Sequence, residues 1–135
     1  MKLELDKGNK LQKINLSDAF LFKADLSRAI LSEAILSRAD LSRAILSEAG
    51  LINANLSNSI IISSQYYESL DLNEKTNFAN AITNDTNFIY NISNFTKNIL
   101  EIVNNKKELK LKLEKSLLRK KYIESVLSIS NLPEE

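Results

Sequence analysis

The chain has 135 residues, enough for one domain with a small appendage and enough to close a core without metal or disulfide help. It contains no cysteine and no histidine, so disulfides, thiol chemistry, the commonest metal ligand and the usual general base near neutral pH are missing. Eighteen basic residues stand against seventeen acidic ones, a net charge of +1 that supplies no global field toward nucleic acid or an anionic membrane.

The chain opens with MKLELDKGNK, which is charged and lacks the apolar stretch of a secretion signal. No apolar run approaches the roughly 20 residues of a membrane span. A soluble, cytoplasmic protein is expected, with residues 1–8 as an N-terminal cap segment.

Residues 9–65 carry the dominant pattern. In ADLSRAILSEAILSRADLSRAILSEAG, leucine falls at Leu26, Leu31, Leu36, Leu41 and Leu46, every fifth residue. A helix repeats near 3.6 and a strand at 2, so neither puts all of these leucines on one face. The register extends to Leu11, Leu16 and Leu21 on one side and Leu51, Leu56 and Ile61 on the other. Alanine stands two residues before each centre from Ala19 through Ala54, then Ser59, and serine usually follows the centre.

One large and one small inward residue per five fit a chain that bends every five residues, with four bends bringing it back above its start. Successive turns of such a square coil stack at the ~4.8 Å spacing of neighbouring strands. Leu16 then lies under Leu36 and Leu56, Leu21 under Leu41 and Ile61, Leu26 under Leu46, and Leu31 under Leu51. The structural core is expected to be these leucines together with Ala24, Ala29, Ala34, Ala39 and Ala44, which sit where a corner leaves room for only a methyl group. Overpacking such a site costs ~1–3 kcal/mol. The serine hydroxyls are expected to bond to neighbouring backbone and support each bend. Serines recur on every side, which argues against a single flat ice- or crystal-binding face.

The recurring A(D/N)LSX pattern, seen as ADLSR twice, ANLSN once and AILSE twice, resembles the pentapeptide-repeat family. The resemblance covers nearly half the chain. It implies an all-β solenoid, the right-handed quadrilateral β-helix, in which Leu26 and its equivalents are the central inward residues and Ala24 and its equivalents the second inward ones. Ile30, Ile35, Ile45 and Ile60 depart from the family's usual Asp or Asn and should point outward.

Stacking four repeats apart also predicts exterior neighbours. Asp18 should meet Arg38, Lys13 should meet Glu33, and Arg28 should meet Glu48, each pair worth ~0.2–1 kcal/mol on an exposed surface. Lys23 below Arg43 is the like-charge exception, with Asp40 as its expected neutraliser and outward Phe20 and Phe22 beside it.

Residues 66–95 are expected to hold degenerate repeats that close the solenoid. SLDLNEK breaks the phase, after which Thr76, Ala81 and Thr86 take the small position and Phe78, Thr83 and Phe88 the central one. Residues 96–135 are expected to be a short C-terminal helical segment, the α cap of the solenoid. Asn105 and Glu108 have capping-box spacing. Leu109, Leu113 and Leu117 share one helix face, Leu111 and Leu118 lie nearly opposite, and a second helix from Lys120 presents Tyr122, Ile123, Val126, Leu127 and Ile129 on one arc. Two apolar faces suggest a first helix sandwiched between the last coil and the second helix. The same region is strongly basic, with eight lysines and arginines against two glutamates from Lys106 to Lys121.

No catalytic constellation is visible. The carboxylates are dispersed, two glycines cannot make a phosphate loop, and no nucleophile has a histidine partner, so a non-enzymatic protein without cofactor or metal is expected. The leading reading is a scaffold or interaction module for another protein or a second copy of itself. Its candidate contacts are Phe20, Lys23, Ile35, Arg43 and Ile45 on the coils and Lys106, Lys107 and Lys110 on the basic helix. Weak nucleic-acid binding through that helix is an alternative. The resemblance supplies another, because some family members mimic DNA and modulate type II topoisomerases. That role implies an acidic face, whereas eight basic and seven acidic residues balance through Gln65.

Overall fold

A computed structural model describes residues 11–63, 70–85, 88, 101–115 and 120–134. The N-terminal segment 1–8 and the positions of Ser64, Tyr66, Thr86, Leu117 and Leu118 fall outside these residues.

The five-residue period is made by turns. In each repeat the carbonyl of the central leucine accepts a hydrogen bond from the alanine amide three residues on, as in Ala24 N to Leu21 O at 3.0 Å and Ala34 N to Leu31 O at 3.0 Å. The third residue of each turn has a positive φ, between 57° and 63°, at Lys13, Asp18, Lys23, Arg28, Glu33, Arg38, Arg43, Glu48, Asn53, Asn58, Ser63 and Asn80. A positive φ at that place marks a type II-like turn, a conformation that usually calls for Gly or Asn. Charged side chains occupy most of these positions, at about 1 kcal/mol each relative to an ordinary backbone.

Between turns, single parallel bridges join residues four repeats apart: Asn15 to Ile35 to Asn55, Phe20 to Asp40 to Ile60, Asp25 to Ile45, and Ile30 to Gly50. The chain therefore returns over itself every fourth bend, and a ladder such as Leu21 N to Asp40 O and Asp40 N to Ala19 O, both 2.9 Å, ties each coil to the next. The backbone polar groups are satisfied by this stacking rather than by long strands.

Inside the coils, Leu21, Leu26, Leu31, Leu36, Leu41, Leu46, Leu51 and Leu56 are buried, as are Ala24, Ala29, Ala34, Ala39 and Ala44. Leu16 packs against this cluster and is only partly buried. Each buried leucine contributes about 1.5–3 kcal/mol of transfer free energy.

Where Asn or Asp precedes the leucine, as before Leu16, Leu26, Leu41 and Leu56, that side chain braces the bend, rather than serine acting on the backbone. Asn15, Asp25, Asp40 and Asn55 accept from the amides of Ser17, Ser27, Ser42 and Ser57 at 2.9–3.1 Å. The Ser17 and Ser27 hydroxyls donate to the same side-chain oxygens.

Past Ser63 the repeat slips and recovers. Gly50 bridges Asp71, one place beyond the regular register, and Asn55 bridges Asn77, two places beyond it. One extra residue is thus taken up between Ser63 and Asp71 and a second between Asp71 and Asn77, and Thr76 anchors the detour by donating its hydroxyl to the Leu51 carbonyl at 2.8 Å. Phe78, Ala81, Thr83 and Phe88 are buried in the expected inward places, with Phe78 and Phe88 edge to face at 5.9 Å. Strands β1 (Ile60–Ile61), β2 (Ile82–Thr83) and β3 (Glu101–Ile102) form a three-stranded parallel sheet in that order. The stacked register therefore extends to Ile102, inside the segment expected to be purely helical.

Helices α1 (Lys106–Lys115) and α2 (Lys120–Ile129) follow. Asn105 accepts from the Glu108 amide at 2.7 Å, and Glu108 reaches back to the Asn104 amide at 3.0 Å, a capping box in kind. The helices lie against the flank of the coils, where sequence reasoning placed them over the last one. Their Leu109, Leu113, Ile123 and Val126 pack with Ile60, Ile62 and Ile82, which point out of the coils. Tyr122 stacks flat on Phe20, with ring centroids 3.7 Å apart. Ile60 does point outward, but this packing leaves it 1% exposed. The other apolar face of α1 is open rather than sandwiched, since Leu111 is 50% exposed.

Candidate functional site

The stacking of every fourth repeat sorts the outward side chains into columns. Phe20, Asp40, Ile60 and Ile82 share one column, and the helices cover it. Asn15, Ile35, Asn55 and Asn77 share a second; Ile30, Gly50 and Asp71 a third; Asp25 and Ile45 a fourth. Ile35 is exposed but has asparagine on either side along its column, and Ile45 is half-buried on a different side. The outward isoleucines therefore do not form one apolar patch, and Ile35 and Ile45 do not join a common surface.

The charged positions at the left-handed corners pair as the spacing predicts. Arg38 grips Asp18 with two bonds of 2.8 Å, Arg28 reaches Glu48 at 2.9 Å, and Lys13 lies 3.9 Å from Glu33. The hydrogen bond and charge of Asp18 push the Arg38 guanidinium further toward its protonated form.

Lys23 and Arg43 occupy the remaining corner, and neither makes an ion pair among the described residues. Asp40 does not neutralise them. It is fully buried, its Oδ1 accepts from the Ser42 amide at 2.9 Å, and its Oδ2 and the Ser42 hydroxyl have no hydrogen-bond partner. Burial pushes the Asp40 carboxyl above its ordinary range, opposed in part by the nearby Ser42 hydroxyl and the Ser42 amide bond. Sequence reasoning missed this because Asp40 looks like any other residue before a leucine. The signal lay one coil away on either side, where Phe20 and Ile60 make its column apolar.

Beside Lys23 the rings of Phe22 and Phe20 stack at 5.7 Å, and Tyr122 continues the stack from α2. The Lys23 ammonium sits over the Phe22 ring, 5.3 Å from its centroid. Two rings contributed by the coils and one by a helix thus hold a platform in place, with Phe22 half-buried and Lys23 exposed at its edge.

The three basic-helix candidates converge elsewhere. Lys106, Lys107 and Lys110 line an open groove of about 480 Å³ with Glu124, Leu127, Ser128 and Glu134. The acidic tail answers part of that charge, with Glu134 Oε1 3.4 Å from Lys106 Nζ. The groove is amphipathic, and among the described residues no aromatic side chain lines it. Among the described residues no group of three or more metal-ligating side chains occurs, and no helix is long and apolar enough to cross a membrane.

No curated protein matches the chain. The family model for pentapeptide repeats does, in eight copies over residues 7–38 and 24–61. The leucine and alanine columns and the five-residue turns agree with this match, which makes residues 7–61 a run of pentapeptide repeats.

Proposed function

We propose that the chain is a non-enzymatic protein-interaction module, a scaffold built as a right-handed quadrilateral β-helix with a helical pair on its flank. The observation that carries this reading is the division of labour along each repeat. Inward positions are spent on filling the coils with leucine, alanine and phenylalanine, which leaves no interior cleft for a substrate among the described residues. Outward positions vary from coil to coil and are held in register by the ladder, as a recognition surface requires. The family supports an interaction role in general terms, and site chemistry has to supply the rest.

Two other readings fit less well. A DNA mimic needs a continuous acidic ladder, whereas three corner columns alternate in sign. Nucleic-acid binding through α1 needs an uninterrupted basic stripe, whereas Glu124 and Glu134 line the same groove as its lysines.

The test is solution mass by light scattering after size exclusion at low and high salt, followed by affinity capture with the intact chain. A variant with its outward corner charges reversed serves as the control bait. A salt-insensitive dimer identifies a second copy as the partner. A monomer whose captured proteins are lost with the variant identifies another protein. A monomer that captures the same background with both baits removes the interaction reading.

A further inference from the structure

Three of the four corner columns pair opposite charges between adjacent coils, and one stacks like on like. Lys23 lies below Arg43 in the same geometry that sets Arg28 below Glu48, as the matching bonds Lys23 N to Ser42 O at 3.0 Å and Arg28 N to Ser47 O at 2.9 Å show. Like charges placed directly opposite on neighbouring strands destabilise the pairing. Asp40, the carboxylate nearest Arg43 in sequence, is buried beneath the helices, Asp25, two residues after Lys23, accepts from Ser27, and no described acid forms an ion pair with either cation. This one corner keeps two uncompensated cations where a single substitution would supply an ion pair.

The same corner carries the aromatic stack. Phe22, Phe20 and Tyr122 lie with interplanar angles of 7° and 1°, so the outermost ring is fixed by two others before any partner arrives. Rigid aromatic area beside desolvatable cations is a usual composition of a binding hot spot. Two cations on a nearly neutral molecule are too few for phosphate-backbone tracking, which draws on many contacts, but they suit the carboxylates of a peptide.

We propose that Phe22, Lys23 and Arg43, backed by Phe20 and Tyr122, form a docking spot for an acidic segment of a partner protein. Asp or Glu side chains of the partner sit against Lys23 and Arg43, and one of its aromatic or apolar side chains lies on the exposed part of Phe22. This assignment rests on the interaction-module reading above and names the surface and partner class within it.

The experiment is selection of a phage-displayed library of random dodecapeptides on the full chain, with the double variant Lys23→Glu, Arg43→Glu and an unrelated protein as parallel baits. The expected outcome is enrichment of peptides that carry adjacent acidic and aromatic residues, bind the double variant about tenfold or more weakly, and lose affinity as salt rises. Enriched peptides without acidic bias, or peptides that bind both baits equally, overturn the spot and leave the interaction module standing. Failure to enrich any peptide above the unrelated bait overturns both. A thymidine oligonucleotide that binds the chain and not the double variant, where acidic peptides do not, overturns the peptide in favour of nucleic acid.

A stability measurement separates binding from structure. Lys23→Glu alone creates an opposite-charge pair with Arg43, so its Tm should rise by about 1–4 °C while peptide affinity falls. A lower Tm would mean that Lys23 already serves the fold, and the proposal would fall.

Discussion

Replacing Asp40 by Asn tests the strangest position in the coils. The carboxylate is 0% exposed, one of its oxygens has no partner, and its column neighbours are Phe20 and Ile60. Asparagine keeps an Oδ1 that can accept from the Ser42 amide, as Asn15 and Asn55 do for Ser17 and Ser57, and removes the charge. Burial raises the folded-state pKa of Asp40 above its ordinary 3.8. The bound proton therefore stabilises the native state below that ordinary value, and this stability is lost as pH rises through the raised one. At about pH 7 the variant should exceed the wild type by about 1–3 kcal/mol, because an unpartnered buried charge costs more than the neutral amide that replaces it. Urea unfolding read by circular dichroism at a series of pH values measures both proteins. The gap should be small near pH ~3.5, widen as pH rises and then level off. A gap that is absent at neutral pH, or that narrows as pH rises, would show that the carboxylate is paired or hydrated and that the helices do not seal it.

Other substitutions probe the register. Ala34→Leu should cost about 3 kcal/mol by overpacking a fully buried corner, while Glu33→Leu next to it should change stability by less than about 1 kcal/mol; thermal melts of the two that coincide would contradict the assignment of inward and outward positions. Glu33→Asn should stabilise by up to about 1 kcal/mol in urea unfolding, because asparagine tolerates the φ of 61° better and the ion pair it removes is long and exposed. Ser59→Ala should raise stability in the same assay by about 1 kcal/mol, since the Ser59 hydroxyl is buried without a partner in a column that otherwise holds Ala39 and Ala81. Gly50→Ala should add about 0.4–1 kcal/mol by restricting the unfolded chain, given that a Cβ there finds its nearest atoms at 3.8 and 3.9 Å; a loss in urea unfolding would place an unseen contact on that side of the coil.

The inward half of the fold was legible because it repeats. Leu21, Leu26 and their equivalents, the alanines two places before them, and the three ion pairs all follow from one period and its fourfold multiple. Phe78 and Thr83 were legible for the same reason once the phase was allowed to slip. The left-handed corners were not, because Lys, Arg and Glu give no hint of a positive φ and only Asn53, Asn58 and Asn80 carried the usual sign. The place of the helices was also hidden. Their apolar arc could be read from Tyr122, Ile123 and Val126, but its target depends on how the chain turns after Ile102. The buried state of Asp40 and the shielding of Ile60 depend on that turn, and so does the third ring of the candidate docking spot.

The fourfold coil also makes the outer surface a check on the length of the chain. A leucine core with a period of five is blind to the gain or loss of one repeat, since every leucine would still face inward. The charges are not blind to it. One extra repeat inserted after Ile30 would set Glu33 over Asp18, Arg38 over Lys23 and Arg43 over Arg28, turning two compensated corners into repulsive ones and leaving the third repulsive. Copying one whole coil would return every side chain to its own column, yet it would lay each charge on its like. Only a copy of two coils keeps the alternation of Lys13 with Glu33, Asp18 with Arg38 and Arg28 with Glu48. Length changes that the interior accepts one repeat at a time are thus accepted by the exterior only by pairs of coils, and the ion pairs, weak as each one is, act together as the parity bit of the fold.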